Sequence, residues 1–170
     1  MTGDYVSTNR DVWNEDSKNW TDFAHRRWTE ENPVWGNWGK PEADLNLLPA
    51  DMTGLKAVEL GCGTGYVAYW MAKRGAEVTA IDISPEQLAT ARALHAGNPA
   101  EIIFIEGNAE ETGLPDEAFD FAISEYGASI WCPPETWLTE AYRLLKPGGT
   151  LVFLGNHPLS LICAPLSGAP

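Results

Sequence analysis

Gly61, Gly63 and Gly65 stand at alternate positions directly after an apolar run, Ala57-Val58-Glu59-Leu60. The run reads as a buried parallel strand, and Val67, Ala68, Trp70, Met71 and Ala72 follow at helical spacing. Strand, glycine turn and helix in that order put bare backbone and the positive end of a helix at the carboxyl edge of a sheet. Open α/β sheets bind ligands there. Glu59 adds a carboxylate two residues before the first glycine. Asp82 closes a second apolar run, 17 residues after Gly65. A carboxylate at that place can accept two hydrogen bonds from the 2'- and 3'-hydroxyls of a ribose. Glu125 ends a further strand, an awkward position for a purely structural acid. His157 follows the last strand; it is either a usable base near neutral pH or an ordinary turn histidine.

The elements that must position these groups alternate strand and helix from Lys56 onward, the pattern of a parallel sheet covered on both faces. Glu77 to Ile83 is the second strand, and Ser84, Pro85 and Gln87 form a helix start with a capping-box arrangement. That helix runs to about His95 and ends at Gly97. Ile102–Ile105 and Asp120–Ser124 are the third and fourth strands, and 133–145 a helix. Lys146-Pro147-Gly148-Gly149 reads as a turn before a fifth strand, Thr150–Leu154.

Residues 1–50 differ in kind. They hold five of the eight tryptophans, which marks them as a separate leader before the main unit at 51–170. Trp13, Trp20, Phe23, Ala24 and Trp28 fall near one face of a helix that should stop before Pro33. The bland use of Trp13, Trp20 and Trp28 is to pack this leader onto the main unit. Asn32 to Pro41 reads as a glycine- and proline-punctuated loop, and its Trp35 and Trp38 suit a lid over an apolar ligand. Pro41 opens a short helix through Leu48.

The net charge of -13 is spread over both parts: 5 basic and 9 acidic residues to position 50, 6 and 15 beyond it. No basic patch stands out, which disfavours nucleic acid and anionic membranes as partners and favours a small molecule. Cys62, Cys132 and Cys163 are far apart, with no C-x-x-C pair or Cys/His cluster, so no metal site is expected. Apolar runs are too short to cross a bilayer, and the start lacks a signal-peptide pattern, so cytoplasm is the default compartment.

The glycine spacing is G-x-G-x-G, and Tyr66 occupies the place of the third glycine of a dinucleotide-binding G-x-G-x-x-G. E-L-G-C-G-T-G at 59–65 resembles motif I of the class I S-adenosylmethionine-dependent methyltransferases. A-I-D-I-S at 80–84, G-N-A-E-E at 107–111, F-D-F-A-I-S at 119–124 and L-K-P-G-G-T-L at 145–151 resemble its later segments in order. The resemblance covers about residues 55–157. It implies a Rossmann-like, doubly wound, mostly parallel α/β sheet and S-adenosylmethionine as cofactor. It places Glu59 and the backbone of Gly61 and Gly63 at the methionine part, with Cys62 and Gly65 completing the turn. Asp82 would take the ribose, Ile83 one adenine face, and Asn108 with the Ala109 amide the adenine edge; the family usually has aspartate at Asn108. Ser124 and Glu125 would hold the methionine ammonium and open toward the acceptor.

The implied reaction is methyl transfer to a small-molecule acceptor, walled by Trp35, Trp38, Tyr126 and Trp131, with Glu125 and His157 as the groups able to handle a proton. Trp131 could equally anchor the following helix. Two other readings stand beside it: a binding or regulatory protein without catalysis, and a nicotinamide oxidoreductase, the latter disfavoured by Tyr66 and Asn108-Ala109. The family sheet has seven strands. None is legible after the fifth here, and the tail 164–170 is loop-like, so the chain is expected to be a fragment or the ordered part of a longer protein.

Overall fold

The computed structural model describes residues 4–36 and 38–163, with the side chains of 160 and 161 left aside. The tail 164–170 lies outside the described residues. The leader contains α1 (Tyr5–Asp16), one turn of 3-10 helix (Ser17–Trp20) and α2 (Thr21–Thr29). A hairpin of β1 (Val34–Trp35) and β2 (Lys40–Pro41) and a single turn, α3 (Glu42–Leu45), complete it. The main unit follows as β3 (Lys56–Leu60), α4 (Tyr66–Lys73), β4 (Glu77–Asp82), α5 (Pro85–His95), β5 (Ile102–Glu106) and β6 (Phe119–Glu125). It ends with α6 (Ala128–Trp131), α7 (Pro134–Leu144), β7 (Leu145–Leu154) and α8 (Pro158–Cys163).

The five main strands are all parallel, in the order β5-β4-β3-β6-β7. The order reverses between β3 and β6, which makes the carboxyl ends of these two strands the crevice for a ligand. The continuous apolar strands are explained by burial on both faces. Ala57, Val78 and Ile123 pack with Trp70 and Met71 of α4 and Leu88 of α5. Val58, Leu60 and Ala122 pack on the other face with Trp137, Ala141 and Leu144 of α7.

Three expectations change. The expected loop at 32–41 contains a two-stranded hairpin: Val34 pairs with Pro41 and Trp35 with Lys40. The leader's aromatic face is divided between two helices by the 3-10 turn at 17–20. The Lys146–Gly149 turn is absorbed into β7, whose register against β6 jumps from Phe119–Leu145 to Phe121–Thr150. The extra residues bulge out of the ladder, with Gly148 at positive φ.

Candidate functional site

The turn after β3 has no room for a side chain at Gly61 or Gly65. Gly61, Gly63 and Gly65 all have positive φ. A Cβ on Gly61 would lie 2.5 Å from the Ala128 amide nitrogen, and one on Gly65 2.8 Å from the Phe104 ring. Gly127 meets Gly61 across the switch point more closely still, because a Cβ there would lie 2.2 Å from the Gly61 carbonyl oxygen. The glycines therefore let the ends of β3 and β6 approach, and let α4 start against Phe104 and Ala91 of α5. Glu59 is buried and accepts a hydrogen bond from the Ala68 amide of α4 (2.8 Å). Burial pushes its carboxyl well above the usual range.

Asp82 at the end of β4 accepts from the Gly63 amide (2.6 Å) with one oxygen and from the Ser84 amide (2.8 Å) with the other. Burial raises its pKa, and these backbone donors oppose the rise. Two of the roughly four lone-pair sites of a carboxylate are thus used, which leaves acceptor capacity for hydroxyls. Ser84 caps α5 through the Gln87 amide (3.2 Å) and donates its hydroxyl to Asn14 of α1 (2.7 Å). Asn108 Oδ1 accepts from the Glu110 amide (3.1 Å), so its side chain also shapes a turn.

These groups wall a cavity of ≈ 320 Å³. Of the residues expected at a site, Glu59, Gly61, Cys62, Gly63, Asp82 and Ile83 line it. So do Asn108, Ala109, Glu125, Tyr126 and Trp131. Five expected residues do not. Gly65 sits under the turn against Phe104. Ser124 is fully buried, donating to the Leu60 carbonyl (2.7 Å) and accepting from the Ser129 amide (3.1 Å), so it ties β6 to β3. His157 is exposed beyond β7, with its Nδ1 accepting from the Leu159 amide (3.1 Å). Trp35 is 1% exposed, wedged against Trp70 (5.5 Å), with its indole N–H donated to Glu42 (2.6 Å). Trp38 is 87% exposed at the hairpin tip. The hairpin is thus pinned by Trp35 and turns Trp38 to the outside.

The roof is instead made by α1 and α2. Trp13, Trp20, Phe23 and Arg27 line the cavity, as do Tyr5 and Asn9. An aromatic chain runs Trp131–Trp13–Trp20–Phe23–Tyr66, edge-on except for the tilted Trp13–Trp20 pair, with ring centroids 5.2 to 5.9 Å apart. Hydrogen bonds hold the roof at its rim. Tyr5 donates to Glu110 (2.7 Å), Asn9 to the Trp131 carbonyl (3.0 Å), and Trp28 Nε1 to the Thr64 carbonyl (2.8 Å). Glu110 pushes the Tyr5 hydroxyl up to about 12. Glu125, 8% exposed, accepts from the Gly36 amide (2.9 Å) and from the Tyr66 hydroxyl. Burial first, and Glu125 second, push the Tyr66 hydroxyl well up, so it stays a donor. Glu125 is therefore both a wall of the cavity and the clamp on the leader. The aromatic spacing of Trp13, Trp20 and Phe23 was the signal for this roof. Nothing local marked Arg27, and Tyr66 stood out only as the residue in the place of a third glycine.

A family profile described as a methyltransferase domain matches residues 58–153. The chain belongs to this family. Its relatives include 2-methyl-6-phytyl-1,4-hydroquinone methyltransferase 1 of Oryza sativa, 38% identical over 72% of this chain and 38% of that one. The fatty-acid O-methyltransferase of Mycolicibacterium smegmatis is 31% identical over 80% of this chain and 57% of its own. Among solved structures, an arsenic(III) S-adenosylmethionine methyltransferase of Chlamydomonas reinhardtii superposes with a TM-score of 0.55. It is 35% identical over 62% of this chain and 40% of that one. The chain thus spans well under two thirds of the length of these relatives. The family's cofactor is S-adenosylmethionine, and the cavity fits it in kind: a glycine turn at positive φ that leaves open space over Gly63, a strand-end carboxylate with spare lone pairs, and acidic groups able to face a sulfonium cation.

Proposed function

We propose that this domain transfers a methyl group from S-adenosylmethionine to a small apolar acceptor held beneath the leader. The observation that carries this reading is one cavity shared by the glycine turn, Asp82 and the aromatic roof of α1 and α2. When bound, the cofactor supplies an electrophilic methyl group on a sulfonium. The protein's part is to hold the partners in line and keep water out. Asp82 would take the ribose hydroxyls, Ile83 and Ala109 would flank the adenine beside Asn108, and Glu59 with the Gly61–Gly63 backbone would face the methionine end. Tyr126, Trp131 and the roof aromatics would wall the acceptor. Glu125 would act on charge and position, as the buried carboxylate that accepts from the Gly36 amide and the Tyr66 hydroxyl.

The relatives are named for a phytyl hydroquinone and for fatty acids, acceptors whose apolar bodies suit an aromatic wall. An acidic chain with no basic residue but Arg27 among the described cavity-lining residues speaks against nucleic acid. No described helix is long and apolar enough to cross a membrane. The cysteines Cys62, Cys132 and Cys163 are free thiols, as suits a reducing compartment such as the cytoplasm.

The test is an incubation with methyl-labelled S-adenosylmethionine and a panel of quinols, fatty acids and other small metabolites. Label should move to an apolar acceptor, and at subsaturating cofactor it should move more slowly with Asp82→Ala. A domain that binds the cofactor yet labels nothing in the panel would instead be a binding module.

A further inference from the structure

Resting on the cofactor reading of the cavity, we infer that Trp28 is a positioning residue for the cofactor: its indole N–H, given to the Thr64 carbonyl, holds the glycine turn in the shape that fixes Asp82. Trp28 belongs to α2 and does not line the cavity. It is 7% exposed, and its ring stacks on Tyr69 of α4 with centroids 4.5 Å apart and planes 14° from parallel. The stack sets the plane of the indole, and Nε1 meets the Thr64 carbonyl at 2.8 Å in buried surroundings. Thr64 is itself buried and lines the cavity. It stands between Gly63 (φ 52°) and Gly65 (φ 73°), where the chain passes from turn to helix.

A helix extended back to Thr64 would satisfy that carbonyl from the amide about one turn on. Here that amide is Ala68, and it donates to Glu59 (2.8 Å). The Trp28 indole fills the place of the missing donor, so the leader supplies a bond that α4 does not. Removing it leaves a buried carbonyl without its donor, which is costly. The turn can relieve the cost by swinging Thr64 toward the Ala68 amide or toward water. Such a swing passes directly to Gly63, whose amide donates to Asp82 (2.6 Å). Two acids of the cavity hang on this stretch, Asp82 through Gly63 and Glu59 through Ala68. A cofactor bound to the relaxed turn would have to pull it back and strand the carbonyl again. Docking of α2 and binding of the ribose are therefore coupled, and by linkage each strengthens the other.

The experiment is a double-mutant cycle on S-adenosylhomocysteine binding, read by calorimetry. Position 28 carries tryptophan or benzothienylalanine, which keeps the two-ring shape and puts sulfur in place of the N–H. Position 82 carries aspartate or, in Asp82→Ala, alanine. With aspartate present, benzothienylalanine should weaken binding on the order of tenfold. With Asp82→Ala the same change should weaken it by less than about twofold, because the group that Trp28 positions is gone. Trp28→Phe, which loses the N–H and one ring, should follow the same pattern. Amide hydrogen exchange in the ligand-free protein gives a readout that packing alone would not move. Gly63 and Gly65 should exchange about tenfold faster with benzothienylalanine, while the strand amides of β3 and β6 keep their rates. Equal weakening in both backgrounds, no weakening with aspartate present, or unchanged exchange at Gly63 overturns the inference and leaves Trp28 a packing anchor of the leader. A parent that does not bind S-adenosylhomocysteine overturns the cofactor reading, and this inference with it.

Discussion

Asp82 carries two duties that one substitution separates. Its oxygens organise the turn by accepting from Gly63 and Ser84, and its spare lone pairs face the cavity. Asp82→Ala should therefore weaken S-adenosylhomocysteine binding by roughly 1.5 to 3 kcal/mol, the scale of hydrogen bonds to a charged group. It should also lower stability by about 1 to 3 kcal/mol, because two amide donors lose their acceptor. Calorimetry reads the first and urea denaturation the second. Glu140 predicts a pH effect of definite sign. Hydrogen bonds from Arg143 in the first place, helped by Thr112, hold its carboxyl down to about 2, against 4.5 for a free glutamate. A depressed folded pKa gives stability that is complete above 4.5 and lost as pH falls from there toward 2. Glu140→Gln should unfold less steeply than the parent across that window in pH-dependent melting. Gly127 stands where a side chain would strike the Leu60 and Gly61 carbonyls. Gly127→Ala should cost about 1 to 3 kcal/mol by urea denaturation, since backbone rather than a flexible side chain must give way.

At the scale of elements, the site divides into a floor that the sequence spelled out and a roof that it concealed. The floor is local: G-x-G-x-G, the strand ending at Asp82 and the strand ending at Glu125 each announce a turn at the carboxyl edge, and Asp82 and Glu125 both line the cavity. The roof depends on where a helical pair lands. Trp13 and Trp20 read as packing, and they do pack, yet the surface they cover is the cavity itself. Trp35 and Trp38 read as a lid because glycine and proline surround them. The pairing of Val34 with Pro41 instead fixes a hairpin that buries the first and exposes the second. Tertiary placement of this kind leaves no local mark. If the roof is α1 and α2, ligand should protect the 3-10 turn at 17–20 from limited proteolysis and shift tryptophan emission. The shift should shrink in Trp13→Phe/Trp20→Phe and persist in Trp35→Phe/Trp38→Phe. A shift that instead disappears with Trp35 and Trp38 would return the lid to the hairpin.

Over the whole molecule, the parallel sheet, its reversal between β3 and β6, and the leader folded across that reversal converge on one space. The chain's charge of -13 surrounds it with a negative field, suited to a cationic cofactor and poorly suited to a dinucleotide's phosphates. Tyr66 adds to this discrimination: it fills the place of a third dinucleotide-fold glycine and spends its hydroxyl on Glu125. Titration of S-adenosylhomocysteine and, separately, NAD into the protein by calorimetry tests the central claim most directly. The account predicts saturable binding of S-adenosylhomocysteine at one site and no binding of NAD. Saturable NAD binding with no response to S-adenosylhomocysteine would contradict it.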